Sequence, residues 1–460
     1  MIHIDLSRLR MSPGRVIPVS FFVTIMIGAI LLMLPVSSTS GEWTPFLTAL
    51  FTSTTSVCVT GLVVVDTYAY WSVFGQVVIL ILIQIGGLGV VAVGAMIMVL
   101  RRKKFNLGNR KLLGDALNVD KTQGILFFLT RIFRGVLFVE TLGAIVCAIK
   151  LVPLLGWTKG LWAAFFQSIS AFCNAGIDVI GPNSMIDFND SPLLMGVIMI
   201  LIVLGGLGFV VWFDLIDALK KGIKQHRSPV STFRHLPEHS KIVLVMTAGL
   251  LVIGTLAVFA AEYDNPSTLG NMTFGQKLLN SLFQSVTFRT AGFASIPQEA
   301  MTELSCVTGY VLMFIGGSPV GTAGGIKTVT AFLVFMNAIS YITGRKENVV
   351  FNRRVSEEVM RKAAAIMLIS MMTVLVMTVL LMSFDNVVLT DALYEVISAL
   401  GTVGLSRGLT PNLDSAGRIV ITVSMYLGRI GPISMAIFFA KGSGAATNMI
   451  KHAEGKFYVG

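Results

Sequence analysis

Residues 47–62 read LTALFTSTTSVCVTGL, and the same construction returns three times along the chain. The other copies are LWAAFFQSISAFCNAGI at 161–177, LLNSLFQSVTFRTAGF at 278–293 and DALYEVISALGTVGL at 391–405. Each starts as a short apolar or aromatic stretch of helical character, turns polar with Ser and Thr, and ends in glycine and a large apolar residue. The glycines are Gly61, Gly176, Gly292 and Gly404, separated by 115, 116 and 112 residues, so four such units account for all 460 residues. An internal repeat decides the architecture before any single element does.

A second landmark keeps the same phase. Downstream of each copy come IGGLGV (85–90), LGGLGF (204–209), IGGSPV (315–320) and LGRIGP (427–432), whose first glycines Gly86, Gly205, Gly316 and Gly428 are separated by 119, 111 and 112 residues. Glycine pairs alone would be a weak signal, since small residues are common at helix contacts in membranes. Two landmarks with one period are a strong one.

Composition places these units in a bilayer. The chain is 54% hydrophobic and 13% charged, against about a quarter charged in soluble domains, with a mean hydropathy of +0.80. Residues 67–100, 191–213, 242–261, 304–326 and 363–384 contain no Asp, Glu, Lys or Arg, and roughly 20 apolar residues suffice to cross the hydrocarbon as a helix. The apolar run at 17–34 follows a basic N-terminus but has no small-residue cleavage site, so it reads as a first membrane helix rather than a signal peptide. The net charge of +11 is spread along the chain in a way that argues against a nucleic-acid partner. Of 35 Lys and Arg, 27 fall in 1–16, 101–134, 219–241, 343–362 and 441–456. That asymmetry predicts cytoplasmic N- and C-termini and an even number of crossings in the cell membrane. Cys58, Cys147, Cys173 and Cys306 lie in or near apolar segments without paired spacing, and the five histidines fall in loops, which argues against a disulfide framework or a zinc site. No Ser/His, Asp/Asp or HExxH constellation occurs in the apolar segments, so an intramembrane enzyme is not expected.

The expected fold is an all-α polytopic membrane protein of four M1–pore-loop–M2 repeats around a pseudo-four-fold pore, with eight transmembrane helices and four re-entrant loops. The repeats are assigned to 1–105, 106–225, 226–350 and 351–460, the last including the C-terminal tail. Outer helices are predicted near 17–35, 128–152, 241–262 and 363–384, and inner helices near 70–100, 191–221, 303–342 and 416–440. The dipping segments between them are too short to cross twice, and non-helical backbone at membrane depth is tolerated only where protein buries it or it lines a watery cavity.

Four such loops suggest a cation filter. A filter for a monovalent cation replaces the hydration shell with backbone carbonyls, and potassium channels use TVGYG strands for this. The fourth loop carries Thr402-Val403-Gly404, and the others vary it as Val59-Thr60-Gly61, Asn174-Ala175-Gly176 and Thr290-Ala291-Gly292. Extended strands with inward carbonyls are expected, with one glycine per loop where TVGYG has two. The short helices would aim their negative C-terminal ends at the pore, which favours a cation. Potassium at these residues is the only metal expected, and no cofactor is expected in this chain.

A gate is expected below the filter. GGSPVGTAGGIK at 316–327 holds five glycines and a proline, and Gly costs about 1 kcal/mol and Pro about 3 kcal/mol against Ala in a helix. The stretch, with Gly316, Gly317, Gly321, Gly324 and Gly325, should unwind into a loop in the conduction path. Arg429 takes the place that Gly87, Gly206 and Gly317 hold in the other repeats, and an intramembrane arginine is usually functional. It is expected to face the cavity, hold the loop through carbonyls and repel cations. Lys327 is read either as a second cation barrier or as a lysine reaching the interface. Arg289 is expected to anchor the third filter segment from behind. Glu140, inside the second outer helix, has no evident partner and reads as structural.

These motifs resemble the Ktr/Trk/HKT superfamily of potassium transporters, closest to the bacterial Ktr-type membrane subunit. The resemblance rests on VTGL (59–62), QIGGLG (84–89), SAFCNAG (170–176), RTAGF (289–293), GTAGGIKT (321–328), GTVGL (401–405) and GRIGP (428–432), and covers almost the whole chain. It implies potassium conduction, a homodimer with one pore per protomer, an intramembrane gating loop with an arginine, and a cytosolic regulatory ring of nucleotide-binding (RCK/KTN-type) subunits that carries the nucleotide. Some plant members that pass sodium have serine at the first filter glycine, where this chain has Gly61. The alternative is a secondary transporter coupling potassium to sodium or protons. Such coupling usually needs ionisable groups near the midplane.

Overall fold

The computed structural model describes residues 13–101, 113–114, 124–345 and 347–431. Repeat one begins with the outer helix α1 (Pro13–Met33). The pore helix α2 (Phe46–Cys58), a single turn α3 (Thr67–Tyr70) and the inner pair α4 (Val73–Leu88) and α5 (Val90–Leu100) follow. Repeat two runs α6 (Ile125–Leu155), α7 (Trp157–Phe172), α8 (Pro192–Leu207) and α9 (Phe209–Lys224). A short α10 (Pro229–Arg234) leads into repeat three, with α11 (Glu238–Glu262), α12 (Phe274–Thr287), α13 (Glu303–Phe314) and α14 (Thr328–Ile342). A two-residue hairpin pairing Val349 with Arg354 and Val350 with Arg353 precedes repeat four. That repeat comprises α15 (Glu357–Phe384), α16 (Leu389–Gly401) and α17 (Ser415–Ile430).

The outer helices α1, α6, α11 and α15 are long and apolar enough to cross a membrane. Even α1, at 21 residues, reaches about 31 Å at 1.5 Å per residue, matching a hydrocarbon core of about 30 Å. Their outward faces carry apolar side chains such as Ile27, Phe138, Leu256 and Leu375, each more than half exposed. The polarity of a soluble protein is thereby inverted, because the interior holds the hydroxyls. In α2, Ser53, Thr54, Thr55 and Ser56 are all buried. Ser53, Thr54 and Ser56 donate to backbone carbonyls and Thr55 accepts from Gly61 N, which is what keeps a polar helix stable in a dry interior.

One packing device recurs in three repeats. The hydroxyls of Ser53, Ser168 and Ser285 on the pore helices donate to the outer-helix carbonyls of Ile25, Glu140 and Leu251 at 2.7, 2.7 and 2.9 Å. Three residues further along each outer helix stands a glycine, Gly28, Gly143 or Gly254. A methyl there would strike that same serine and a leucine of the inner helix, Leu82, Leu201 or Leu312. The pore helices are thus seated against the outer helices at backbone distance.

The inner helices differ from the sequence expectation. Those expected to run unbroken over 70–100 and 191–221 bend by 95° at Gly89 and 100° at Gly208. Both glycines are left-handed, with φ of 90° and 89°, and Gly431 after α17 matches them at 88°. The break therefore falls at the last glycine of the second landmark, and Pro319 stands at the equivalent point of repeat three. The inner helix expected at 303–342 is interrupted between α13 and α14, as its composition requires. The part of the fourth inner helix expected beyond Gly431 lies outside the described residues.

Candidate functional site

The C-terminal ends of α2, α7, α12 and α16 lead straight into the four candidate filter segments. Val59, Asn174, Thr290 and Thr402 all adopt left-handed backbone, with φ of 56°, 59°, 65° and 49°, and Gly61, Gly176, Gly292 and Gly404 follow at 102°, 66°, 85° and 97°. This corrects the expectation of plain extended strands. A β-strand alternates its groups between opposite sides. Interleaving left-handed residues removes that alternation, so successive carbonyls can line one side. For Val59 and the threonines the conformation costs roughly 1–2 kcal/mol each, which the surrounding packing must hold.

The packing does so with one hydroxyl per repeat. Gly61 N donates to Thr55 Oγ1 at 2.9 Å and Gly404 N to Ser398 Oγ at 3.1 Å. In the other two repeats, Ser170 Oγ donates to Ile177 O and Thr287 Oγ1 donates to Phe293 O at 2.7 Å. Each pore helix therefore grips the segment that leaves it. Beyond the third and fourth segments, Gln298 joins Gln284 and Tyr394, and Arg407 pairs with Asp391 at 2.8 Å.

The four glycines face one another in a closed ring. A methyl on Gly61 would sit 2.6 Å from Ala175 O, one on Gly176 would sit 2.6 Å from Ala291 O, and one on Gly292 would sit 2.6 Å from Val403 O. A methyl on Gly404 would collide with Thr60 O, which returns the circuit to the first repeat. No side chain fits at any of these positions, and four carbonyls from four repeats converge. The hydroxyls of Thr60, Thr290 and Thr402 are buried without a hydrogen-bond partner among the described residues. Carbonyl and hydroxyl oxygens are hard donors of the kind that replace a cation's hydration shell.

Residues 315–327 form a loop directly against this ring. Ile315 and Ile326 bridge at its neck, and Gly317 N donates to Gly324 O at 3.2 Å. The loop is seated in the bend of repeat two: Ser318 N donates to Gly206 O at 2.9 Å, Thr322 N to Gly205 O at 3.0 Å, and Phe209 N to Val320 O at 2.9 Å. Gly208 has no room for a side chain beneath Pro319 O, and Gly321 approaches Gly205 O. Above, Gly324 packs on Thr402 Oγ1 and Gly316 on Gly324 O, while Gly325 is left-handed at φ 65°.

Arg429 stands in the last turn of α17 and binds the loop. Its Nη1 donates to Thr322 O at 2.6 Å and its Nη2 to Gly86 O and Gly87 O. The guanidinium thus joins repeats one, three and four. Lys327 stays within the loop rather than reaching away from it. It folds back to donate from Nζ to Ala323 O at 2.7 Å, closing the loop on itself. Arg289 does not brace its own filter segment. Its Nη2 donates to Gly316 O at 3.1 Å, at the start of the 315–327 loop.

Three participants escaped sequence reasoning. Gly89 and Gly208 were hidden because glycine in an apolar helix reads as packing. Thr322 donates to Phe172 O at 3.0 Å and to Asn174 Oδ1 at 3.2 Å while its carbonyl takes Arg429. Thr322 was signalled by its place in the GTAGGIKT motif but not distinguished from its small and polar neighbours.

The chain is similar to known proteins along nearly its whole length. The family model described as TrkH, cation transport protein, matches residues 8–448. The Ktr system potassium uptake protein B of Bacillus subtilis is 39% identical over 98% of this chain and 97% of its own length. The potassium/sodium uptake protein NtpJ of Enterococcus hirae is 35% identical over 98% of both. The crystal structure of the potassium transporter TrkH from Vibrio parahaemolyticus superposes with a TM-score of 0.72, covering 94% of this chain and 86% of that one, at 18% identity, a likeness of fold. With the family model spanning nearly the whole chain and full-length relatives above 30% identity, this protein belongs to the Ktr/Trk family of cation transport proteins.

Proposed function

We propose that this chain carries potassium across the cell membrane by a channel-like path. The ion would be coordinated by the carbonyls of 59–61, 174–176, 290–292 and 402–404 and stopped below by the 316–327 loop held by Arg429. The closed ring of glycines and carbonyls carries the reading, because there, among the described residues, all four repeats bring backbone oxygens together. Helix C-terminal ends aimed at the ring supply negative potential, and a guanidinium below it opposes cation passage when the loop is closed.

Relatives named for potassium uptake support the choice of ion. NtpJ, named for potassium and sodium, marks the competitor to test. Control of such a path belongs to a second protein. We assign it to a cytosolic ring of nucleotide-binding (RCK/KTN-type) subunits beneath a homodimer, docking on the basic segments 101–121, 219–235 and 345–362, with both termini cytoplasmic. Reversal potentials in proteoliposomes with potassium on one side and sodium on the other test the reading. A potential near the potassium Nernst value, lost in Gly61→Ser, is expected. Equal permeability in the wild type, or a potential that follows the proton gradient, overturns it.

A further inference from the structure

Glu140 is a buried carboxyl within the second outer helix that conduction leaves unused. It lies midway along α6 and is 3% exposed. A carboxyl at that depth is expensive unless its oxygens are satisfied. Its Oε2 accepts from Gln84 Nε2 of α4 at 3.1 Å. The Cys173 thiol approaches Gln84 Oε1 at 3.5 Å and Glu140 Oε1 at 3.9 Å. Its backbone carbonyl receives Ser168 Oγ of α7. One residue therefore touches the second pore helix, the neighbour of filter residue Asn174, and the inner helix of repeat one.

That cluster is also the back wall of the arginine seat. Gln84 lies two residues before Gly86, and the carbonyls of Gly86 and Gly87 take Arg429. Cys173 packs on Gly87 so closely that a methyl there would sit 2.7 Å from its Sγ. The corresponding outer-helix residues of repeats one and three, whose carbonyls receive Ser53 and Ser285, are the apolar Ile25 and Leu251. The repeat therefore packs without a carboxyl at this level, and the polar cluster calls for a reason of its own.

We propose that Glu140 is a positioning residue that, through Gln84 and Cys173, fixes both the second filter segment and the Gly86–Gly87 seat of Arg429. The proposal rests on the filter-and-gate reading above. Removing the carboxyl orphans Gln84, leaves Cys173 free to shift, and loosens two structures at once. A carboxamide keeps an oxygen that accepts from Gln84.

The test uses the full-length protein in proteoliposomes without its regulator. In Glu140→Ala the potassium-over-sodium permeability ratio should fall, and closed-state leak rise, by about tenfold each, the equivalent of about 1.4 kcal/mol. Glu140→Gln should keep both near wild type, and Thr141→Ala, on the exposed face of the same helix, should change neither. Gln84→Leu attacks the cluster from the other side and should reproduce the alanine effect, with the double variant no worse than either alone. Unchanged ratio and leak in well-folded Glu140→Ala or Gln84→Leu would overturn the proposal, and so would a glutamine variant as impaired as alanine. A reversal potential that tracks the proton gradient in wild type and ceases to in Glu140→Gln would assign the residue to coupling instead. If Gly61→Ser also leaves selectivity intact, the underlying filter reading is what has failed, independently of Glu140.

Discussion

Arg429 Nη1 donates to the carbonyl oxygen of Thr322 at 2.6 Å, so the end of one inner helix holds the centre of the loop that interrupts another. The same guanidinium reaches Gly86 and Gly87, whose carbonyls point its way because α4 is ending and about to bend at Gly89. A planar group with several fixed donors suits three carbonyls at once, whereas an ammonium is a single compact charge.

Arg429→Ala should therefore free the loop. A hydrogen bond to a charged group contributes about 1.5–3 kcal/mol, and each 1.4 kcal/mol is about tenfold in population. Potassium flux without the regulatory partner is expected to rise by roughly ten- to a hundredfold, with Arg429→Lys falling between alanine and wild type. Proteoliposome flux checks this. Flux equal to wild type in a folded alanine variant would count against a latch at this position.

The glycine ring predicts a position-dependent loss of selectivity. Gly61→Ser places a Cβ 2.6 Å from Ala175 O on a backbone at φ 102°, and Gly404→Ser drives one into Thr60 O at φ 97°. Both should lower the potassium-over-sodium permeability ratio, by about tenfold for a local cost near 1.4 kcal/mol, and the Gly404 variant should be the worse in stability. Bi-ionic reversal potentials and thermal unfolding measure the two effects. A ratio unchanged from wild type in both folded variants would separate the ring from selectivity.

The glycine ring and the intramembrane arginine were legible in the sequence for the same reason that these variants should be severe. A site with no room for Cβ forces glycine in every repeat, and an arginine in an apolar run stands out by its solvation cost alone. The backbone of the filter was not legible. β-branched Val59 and Thr402 at positive φ oppose their own preference, and only the surrounding contacts hold them there. The partner of Glu140 was hidden too, because Gln84 lies 56 residues away and meets it only where α4 and α6 both pack on α7. Local pattern locates elements, and the pairing of side chains between them is decided by how the repeats close.

Thr322→Val tests the contact between gate and filter. Valine keeps the shape but deletes the hydroxyl that binds Phe172 O and Asn174 Oδ1, at a net cost of about 0.5–1.5 kcal/mol. A modest rise in unregulated flux is expected, together with a shift in the permeability ratio, since the side chain of Asn174 loses its tie. An altered flux with an unaltered ratio would show that the loop closes the path without touching the second filter segment.

Gly89 and Gly208 separate the bend from the loop it carries. The two share nearly the same positive-φ backbone, at φ 90° and 89° with ψ of 125° and 137°, so alanine at either position meets a similar conformational cost, about 1–3 kcal/mol. Their surroundings differ. Among the described residues, a methyl on Gly89 meets nothing closer than Ala92 Cβ at 4.0 Å, whereas one on Gly208 strikes the carbonyl oxygen of Pro319 in the 315–327 loop. Gly89→Ala should lower thermal stability slightly and leave unregulated flux near wild type. Gly208→Ala should lower stability further and raise flux, because the loop must lift from the bend in which Phe209 N holds Val320 O. Thermal unfolding read beside flux for the pair decides the matter. Equal flux from both variants would mean that the bend of repeat two is scaffold only, and that closure depends on Arg429 without a seat beneath the loop.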